Sequence, residues 1–175
     1  MNIAAATPVH AAVAGGVCTV TLARPPVNAL DDVLVDALLA AIDKACLDDQ
    51  VAVLLLRSSG KVFCAGADLA LMQESIRTPR GLEDMLALVR RLQTLAQRIE
   101  AAPVVTIAEI GGAALGGGFE LALACDLRIV AHEARVGLPE AGLGLLAAAG
   151  GTQRRPRLVG PRLPSRLIPR AETVD

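Results

Sequence analysis

Two glutamates and a glycine-rich segment are the residues of this sequence whose types and positions could support acid–base chemistry. Glu120 lies two residues after the segment 111–118, in which no side chain is larger than Leu115. Glu140 follows Pro139 among mainly apolar neighbours. Two carboxyl groups beside one dry pocket can divide the roles of acid and base. A lone glutamate is more often a solvated or capping residue, and sequence periodicity does not show that these two meet.

The segment 111–118 offers bare backbone N–H groups at the predicted start of a helix. Such groups favour negative charge, either on a bound phosphate or on an oxygen that becomes anionic during a reaction. A tight turn with close helix packing explains the glycines equally well. The segment 64–68 could expose a second amide beside the first. The glycine spacing fits neither G-x-G-x-x-G nor G-x-x-x-x-G-K-[ST], which disfavours a nucleotide phosphate loop.

Strands and helices alternate along the sequence, and this order would position both segments. Hydrophobic patterning predicts helices over 31–46 and 82–99, a further helix after the glycine-rich segment, and strands at 17–22, 51–56, 104–110 and 127–130. The alternation is typical of a mostly parallel sheet covered by helices. Ligands gather outside the carboxyl ends of such strands, so the loops 58–68 and 111–118 are expected to face one pocket.

Composition sets the class of protein. The 175 residues are 53% hydrophobic and 20% charged, as expected of one soluble globular domain. With no Trp, no Tyr, two Phe and a net charge of −1, the sequence predicts binding neither to nucleic acid nor to a membrane. The four cysteines form no C-x-x-C pair and the two histidines share no motif, so reduced thiols and no metal site are predicted. No signal or membrane-spanning segment is apparent, and a cytoplasmic location is expected.

Four separated motifs occur in an order that a known family shares: RPPVNAL at 24–30, FCAGADL at 63–69, ALGGGFEL at 114–121 and GGTQ at 150–153. On these motifs the sequence resembles the enoyl-CoA hydratase/isomerase, or crotonase, family. The resemblance implies an α/β fold, a crotonase-like spiral of ββα units, here without the family's C-terminal helical region.

The resemblance also implies a catalytic site. It places an oxyanion hole at the backbone N–H groups of Ala67 and Gly117, and it makes Glu120 and Glu140 the two carboxylates of a hydratase. Retention of both carboxylates favours hydration over isomerisation. In this interpretation Glu120 activates the water, and a protonated Glu140 delivers a proton to the α-carbon of the substrate. Further substrate contacts are expected at Ala65, Gly66, Asp68, Leu69, Gly116 and Pro139.

The function implied is reversible addition of water to a 2-enoyl-CoA in fatty-acid or related acid metabolism. The alternatives are Δ3-Δ2 isomerisation or another reaction of the family, and a catalytically silent acyl-CoA-binding fragment or assembly subunit. No cofactor is expected, because coenzyme A belongs to the substrate, and its adenine end is placed near the loop 61–67. A homotrimer or a dimer of trimers is the expected assembly.

The sequence departs from the family pattern toward its end. Residues 1–153 are predicted to form the acyl-CoA-binding core, and 154–175 an atypical Arg/Pro-rich segment at the start of a shortened helical region. The prolines at 156, 161, 164 and 169 are expected to interrupt the helices of the family there. The six arginines between 154 and 170 could attract the phosphates of coenzyme A, but a solvated tail is the favoured expectation. Ala147 and Ala148 replace a pair such as Pro-Gly, which is expected to alter the pocket floor.

Overall fold

A five-stranded sheet is the scaffold of the chain, whose computed structural model describes residues 7–175. It is built from β1 (Val9–Ala14), β2 (Val17–Leu22), β3 (Val53–Ser58), β4 (Val105–Ile110) and, after a short strand β5 (Ala114–Leu115), β6 (Leu127–Val130). The strand order is β1-β2-β3-β4-β6. β1 runs antiparallel to β2, and the other neighbours are parallel, which confirms the predicted sheet type.

The predicted strands differ from the observed ones mainly at their ends. The prediction at 51–56 was two residues too early, because the Val51 N–H bonds to the Asp48 carbonyl in the turn after a helix. β1 was not predicted at all. Five of its six residues are exposed, so it has no buried face to produce an alternating pattern.

The two long predicted helices are confirmed, and they cover the sheet. Helix α1 (Asp32–Cys46) begins after Asp31, whose side chain accepts a hydrogen bond from the Leu34 N–H at 2.8 Å. Its buried face contributes Leu34, Leu38 and Ile42 to the core. An eight-residue helix α2 (Leu69–Ile76) follows without any buried residue, and then α3 (Gly81–Glu100).

Helix α4 (Gly117–Ala124) lies in the interior, with every residue buried. Close to it is a small sheet of order β5-β7-β8, in which β7 is Val136–Gly137 and β8 is Thr173–Val174. A single bridge joins Cys64 to Ala114, so the loop before α2 lies beside the strand that leads into α4. These contacts bring the two predicted site loops together.

The expected interruption of helices after residue 153 is wrong at Pro156 and Pro164, which lie within helices, whereas Pro161 and Pro169 lie outside them. Helix α5 (Gly151–Val159) contains Pro156, crosses the predicted boundary at 153/154, and is followed by α6 (Arg162–Leu167). Pro156 removes one bond, to the carbonyl of Thr152, from a short helix. Pro161 is the N-cap of α6 and Pro164 lies in its first turn, where an N–H has no partner within the helix.

The expected solvated arginine tail is wrong for its first two members. Arg155 is 4% exposed, and its guanidinium lies over the Phe119 ring at 5.5 Å from the ring centroid. The Arg154 side chain is 11% exposed. Arg157, Arg162, Arg166 and Arg170 are exposed, as predicted.

Cys18, Cys64 and Cys125 are buried free thiols and Cys46 is partly buried, in agreement with the predicted reduced state. Within residues 7–175, none of the helices combines the length and the apolar character needed to cross a membrane.

Candidate active site

A mainly apolar cavity of about 270 Å³ lies where the two predicted loops meet. Ala67 and Gly117 line it together with Glu120 and Glu140, so the structure brings all four predicted catalytic residues to one cavity. Of the predicted substrate contacts, Ala65, Gly66, Leu69, Gly116 and Pro139 also line it, whereas Asp68 does not.

The backbone amides of Ala67 and Gly117 lie side by side at the cavity wall. A Cβ built on Gly117 would lie 3.7 Å from the Ala67 nitrogen, and one built on Gly66 would lie 3.2 Å from the Gly117 nitrogen. Leu30 bonds to the neighbours of Ala67, because its N–H donates to the Gly66 carbonyl and its carbonyl accepts from the Asp68 N–H. The Ala67 N–H is therefore not used in this bridge. Gly117 is the first residue of α4, where an N–H has no partner within the helix.

Side chains of the 24–30 motif hold the loop that carries Ala67. Asn28 is 4% exposed and its amide donates to the carbonyls of Val62 and Phe63, at 3.2 and 2.9 Å. Arg24 reaches the Asp68 carboxylate at 2.9 Å, and Asp68 in turn caps the start of α2. Asp68 thus fixes the backbone next to Ala67, and the prediction that it contacts substrate is not supported by its position.

The glycines of 111–118 serve both purposes that the sequence left open. Close packing applies at Gly112 and Gly118, where an added Cβ would lie 1.8 Å from the Lys61 carbonyl oxygen and 2.2 Å from that of Cys64. Exposure to a ligand applies at Gly116 and Gly117, which line the cavity. Gly116 has φ +53°, a conformation that favours glycine, and it turns the chain into α4.

Glu120 lies in the first turn of α4 and is 3% exposed. Its Oε1 accepts a hydrogen bond of 2.7 Å from the Gly151 N–H at the start of α5. The pKa of Glu120 is raised to about 7: burial is the main cause, the Gly151 N–H opposes it, and the nearby Glu140 carboxyl adds to it. Near neutral pH, Glu120 therefore exists in both ionised and protonated forms.

Glu140 begins a short 3₁₀ helix (Glu140–Leu143) directly after Pro139. Its Oε1 lies 3.0 Å from where a Cβ on Gly116 would be, so Gly116 leaves room for the carboxyl group. Its Oε2 is buried without a hydrogen-bond partner among the described residues. Burial raises the pKa of Glu140 as well. The two carboxyl groups thus line one mainly apolar cavity, where the charge of Glu140 contributes to the raised pKa of Glu120.

The raised pKa of Glu120 predicts a pH-dependent stability that Glu120→Gln removes. Because the folded chain holds this proton more tightly than the unfolded one, the contribution is complete below pH 4.5 and is lost as the pH rises to about 7. From pH 4 to pH 8, the wild-type chain should lose up to about 3 kcal/mol of unfolding free energy relative to Glu120→Gln. Denaturant titrations of both chains across this range measure the difference, and a pH-independent difference would contradict the raised pKa.

Sequence patterns did not identify several residues that line the cavity. The Gly151 amide was part of a recognised motif but was given no partner, because the contact with Glu120 joins residues 31 positions apart. Met72, Met85 and Val89 lie on the cavity wall, on helices whose patterns indicate only an apolar face. Ala148 and Ala149 also line the cavity, and the altered floor expected from Ala147 and Ala148 stays a prediction.

A larger cavity of about 410 Å³ lies across the segment 146–149 from the first. Its lining includes Gln93, Gln97, Arg154 and Arg157, but none of the four predicted catalytic residues. The four predicted catalytic residues therefore all lie at the smaller cavity. Among residues 7–175 no three His, Cys, Asp or Glu side chains are placed to hold a metal ion, and the absence of a metal stays a prediction.

The alternating sheet and helices, with two amides and two carboxyl groups at one cavity, define a crotonase-like α/β protein. Solved structures agree: the chain superposes on an enoyl-CoA hydratase from Bacillus anthracis with a TM-score of 0.88 and 35% identity, covering 95% of this chain and 64% of that one. It matches Pseudomonas aeruginosa DspI with a TM-score of 0.88 and 36% identity, covering 96% and 67%.

Sequence comparison gives the same result. The family described as "Enoyl-CoA hydratase/isomerase" matches residues 12–174, and this chain belongs to that family. A Bacillus subtilis (strain 168) relative named "Probable enoyl-CoA hydratase" is 40% identical over 91% of this chain and 60% of its own length. The mouse (Mus musculus) "Enoyl-CoA hydratase domain-containing protein 2, mitochondrial" is 49% identical over 87% of this chain and 51% of its own length. The chain thus spans about half to three-fifths of these relatives.

Proposed function

We propose that this chain carries the catalytic site of an enoyl-CoA hydratase, which adds water reversibly to a 2-enoyl-CoA and forms a 3-hydroxyacyl-CoA. The observation that carries the proposal is the meeting of the Ala67 and Gly117 amides with the Glu120 and Glu140 carboxyl groups at one apolar cavity. Each half of this arrangement has a separate task in the reaction.

The paired amides serve as an oxyanion hole for the thioester carbonyl. When water adds to the β-carbon, the double-bond electrons move toward the carbonyl oxygen and form an enolate. Two fixed N–H donors in a dry cavity stabilise that charge without reorganising. The start of α4 adds its partial positive charge at Gly117.

The carboxyl pair supplies the proton transfers. Glu120 removes a proton from water as its oxygen bonds to the β-carbon, and the enolate then takes a proton at the α-carbon from Glu140. The Gly151 N–H favours the ionised form of Glu120, whereas burial of Glu140 Oε2 without a hydrogen-bond partner among residues 7–175 favours the protonated form. After the addition, Glu120 is protonated and Glu140 is ionised. Proton transfer through water then returns both carboxyl groups to their starting states.

The apolar wall accommodates the acyl chain, and the rest of the substrate lies outside. Apolar contact for the acyl chain comes from five side chains that line the cavity: Leu69, Met72, Met85, Val89 and Leu92. We place the adenine end of coenzyme A near the loop 61–67, which carries Lys61 at its start. The protein needs no further cofactor in this scheme. A homotrimer or dimer of trimers and a cytoplasmic location remain predictions, and one relative carries "mitochondrial" in its name.

The direct test is an assay of the purified chain with crotonyl-CoA. We expect loss of the conjugated thioester absorbance and a product heavier by one water, because hydration alone adds that mass. A 3-enoyl-CoA converted to a 2-enoyl-CoA at constant mass, with no hydration of crotonyl-CoA, would instead favour isomerisation. Binding of crotonyl-CoA without either product would favour a silent acyl-CoA-binding role and would contradict hydration.

A further inference from the structure

Arg154 folds its side chain back over the start of its own helix. In α5 its Nη1 donates to the Ala149 carbonyl at 2.9 Å, and its Nη2 contacts the Glu100 carboxylate at 2.8 Å. Glu100 is the last residue of α3. The guanidinium thereby joins the backbone 149–151 to the end of α3.

The same stretch of backbone touches Glu120. The Gly151 N–H donates to Glu120 Oε1 at 2.7 Å, and a Cβ on Gly151 would lie 2.9 Å from both Glu120 Cγ and Leu138 Cδ1. Gly151 and Glu120 are thus in close contact. A small movement of this backbone would change the hydrogen bond on which Glu120 depends.

The contacts of Arg154 with the Ala149 carbonyl and the Glu100 carboxylate form a clamp. Gly150 makes this clamp possible. It has φ +110°, and a Cβ there would lie 2.0 Å from Arg154 Nη1, so the guanidinium occupies the space where a side chain would be. The Arg154 side chain is mostly buried. Its place is therefore defined by packing as well as by its two contacts.

We propose that Arg154 is a positioning residue for the hydration reaction: it holds the 149–151 backbone against Glu120 and places a positive charge nearby, which favours the ionised carboxylate. The role of Arg154 in the reaction rests on the proposed function. Its effect on the proton affinity of Glu120 does not depend on that function.

The charges around Glu120 agree with this role. Glu140 of the 3₁₀ helix disfavours the ionised form, and burial acts in the same direction. Opposing them are the backbone of Gly151 and Ala149 and the Arg154 charge, all from the segment 149–154. Arg155, over the neighbouring Phe119, adds a second cation on α5, while Glu100 of α3 is paired with Arg154. The segment 149–154 therefore supplies the groups that lower the pKa of Glu120, against the larger opposing effect of burial.

The experiment is a titration of the Glu120 side chain by NMR in the full chain with ¹³C-labelled glutamate, assigned with Glu120→Gln. In Arg154→Met, the pKa of Glu120 should rise by about one pH unit. The positive charge of Arg154 is lost, and the Gly151 N–H is no longer held in place as a donor to Glu120. Arg157→Met is the matched control, since Arg157 is on the same helix but exposed. It should leave the titration unchanged.

The outcomes separate this inference from the proposed function. The titration needs no substrate, so an unchanged Glu120 pKa in Arg154→Met overturns the inference whether or not the chain hydrates an enoyl thioester. If Arg154→Met does not fold, Arg154→Gln takes its place, with a smaller rise expected and the same overturning result. With crotonyl-CoA as substrate, the acidic limb of the pH profile of kcat/KM should shift to higher pH in Arg154→Met, by as much as the pKa of Glu120 rises. A purely structural loss would lower the whole profile without moving that limb.

Discussion

Replacing Glu120 by glutamine is expected to lower kcat/KM for crotonyl-CoA hydration about a thousandfold. A positioned general base contributes roughly 10²- to 10⁴-fold, and glutamine cannot accept the proton of water at neutral pH. The fold should survive, because the glutamine Oε1 can still accept the Gly151 hydrogen bond. Steady-state kinetics together with circular dichroism measure both effects.

The matched control is Glu83→Gln, which makes the same chemical change on the exposed face of α3, where the Glu83 side chain is 76% exposed. It should retain wild-type turnover. The double variant Glu120→Gln/Glu140→Gln should be little worse than either single variant, because the two groups act as a unit. Unchanged turnover in Glu120→Gln, with folding intact, would remove Glu120 from the reaction.

Sequence patterns predicted the sheet and the long helices because those elements bury broad apolar faces. Leu34, Leu38 and Ile42 recur at helical spacing and all three are buried. The same reasoning could not find β1, whose residues are almost all exposed. It also failed at Pro156, because proline is expected to break a helix interior. In the short helix α5, Pro156 removes only one backbone hydrogen bond.

The site was predicted in outline through the family motifs rather than through periodicity. Ala67 and Gly117 are far apart in sequence, and contacts such as the Cys64–Ala114 bridge bring their two segments together. The substrate contact that the resemblance implies for Asp68 stays a prediction, because its carboxylate is held by Arg24 and the residue does not line the cavity. The clamp from Arg154 to Ala149 and Glu100 has no signature in sequence, because it depends on a backbone angle at Gly150 and on the end of a distant helix.

Gly66→Ala is expected to lower kcat/KM about 10²- to 10³-fold while leaving both carboxyl groups in place. An added Cβ would lie 2.9 Å from the Leu115 carbonyl oxygen and 3.2 Å from the Gly117 nitrogen, so the two loops must move apart. Losing one donor of an oxyanion hole costs about 2.7–4 kcal/mol of transition-state stabilisation. The loss should fall mainly on kcat, since the enolate gains more than the substrate from these donors.

Gly15→Ala is the control that separates this effect from backbone strain. Gly15 also has a positive φ, +56° against +95° at Gly66, but nothing lies within 4 Å of its added Cβ. Both variants should lose some stability from the left-handed conformation, about 1–2 kcal/mol. Only Gly66→Ala should lose turnover. Equal activity in the two variants, at matched folding by circular dichroism, would show that the spacing of the Ala67 and Gly117 amides does not matter to the reaction.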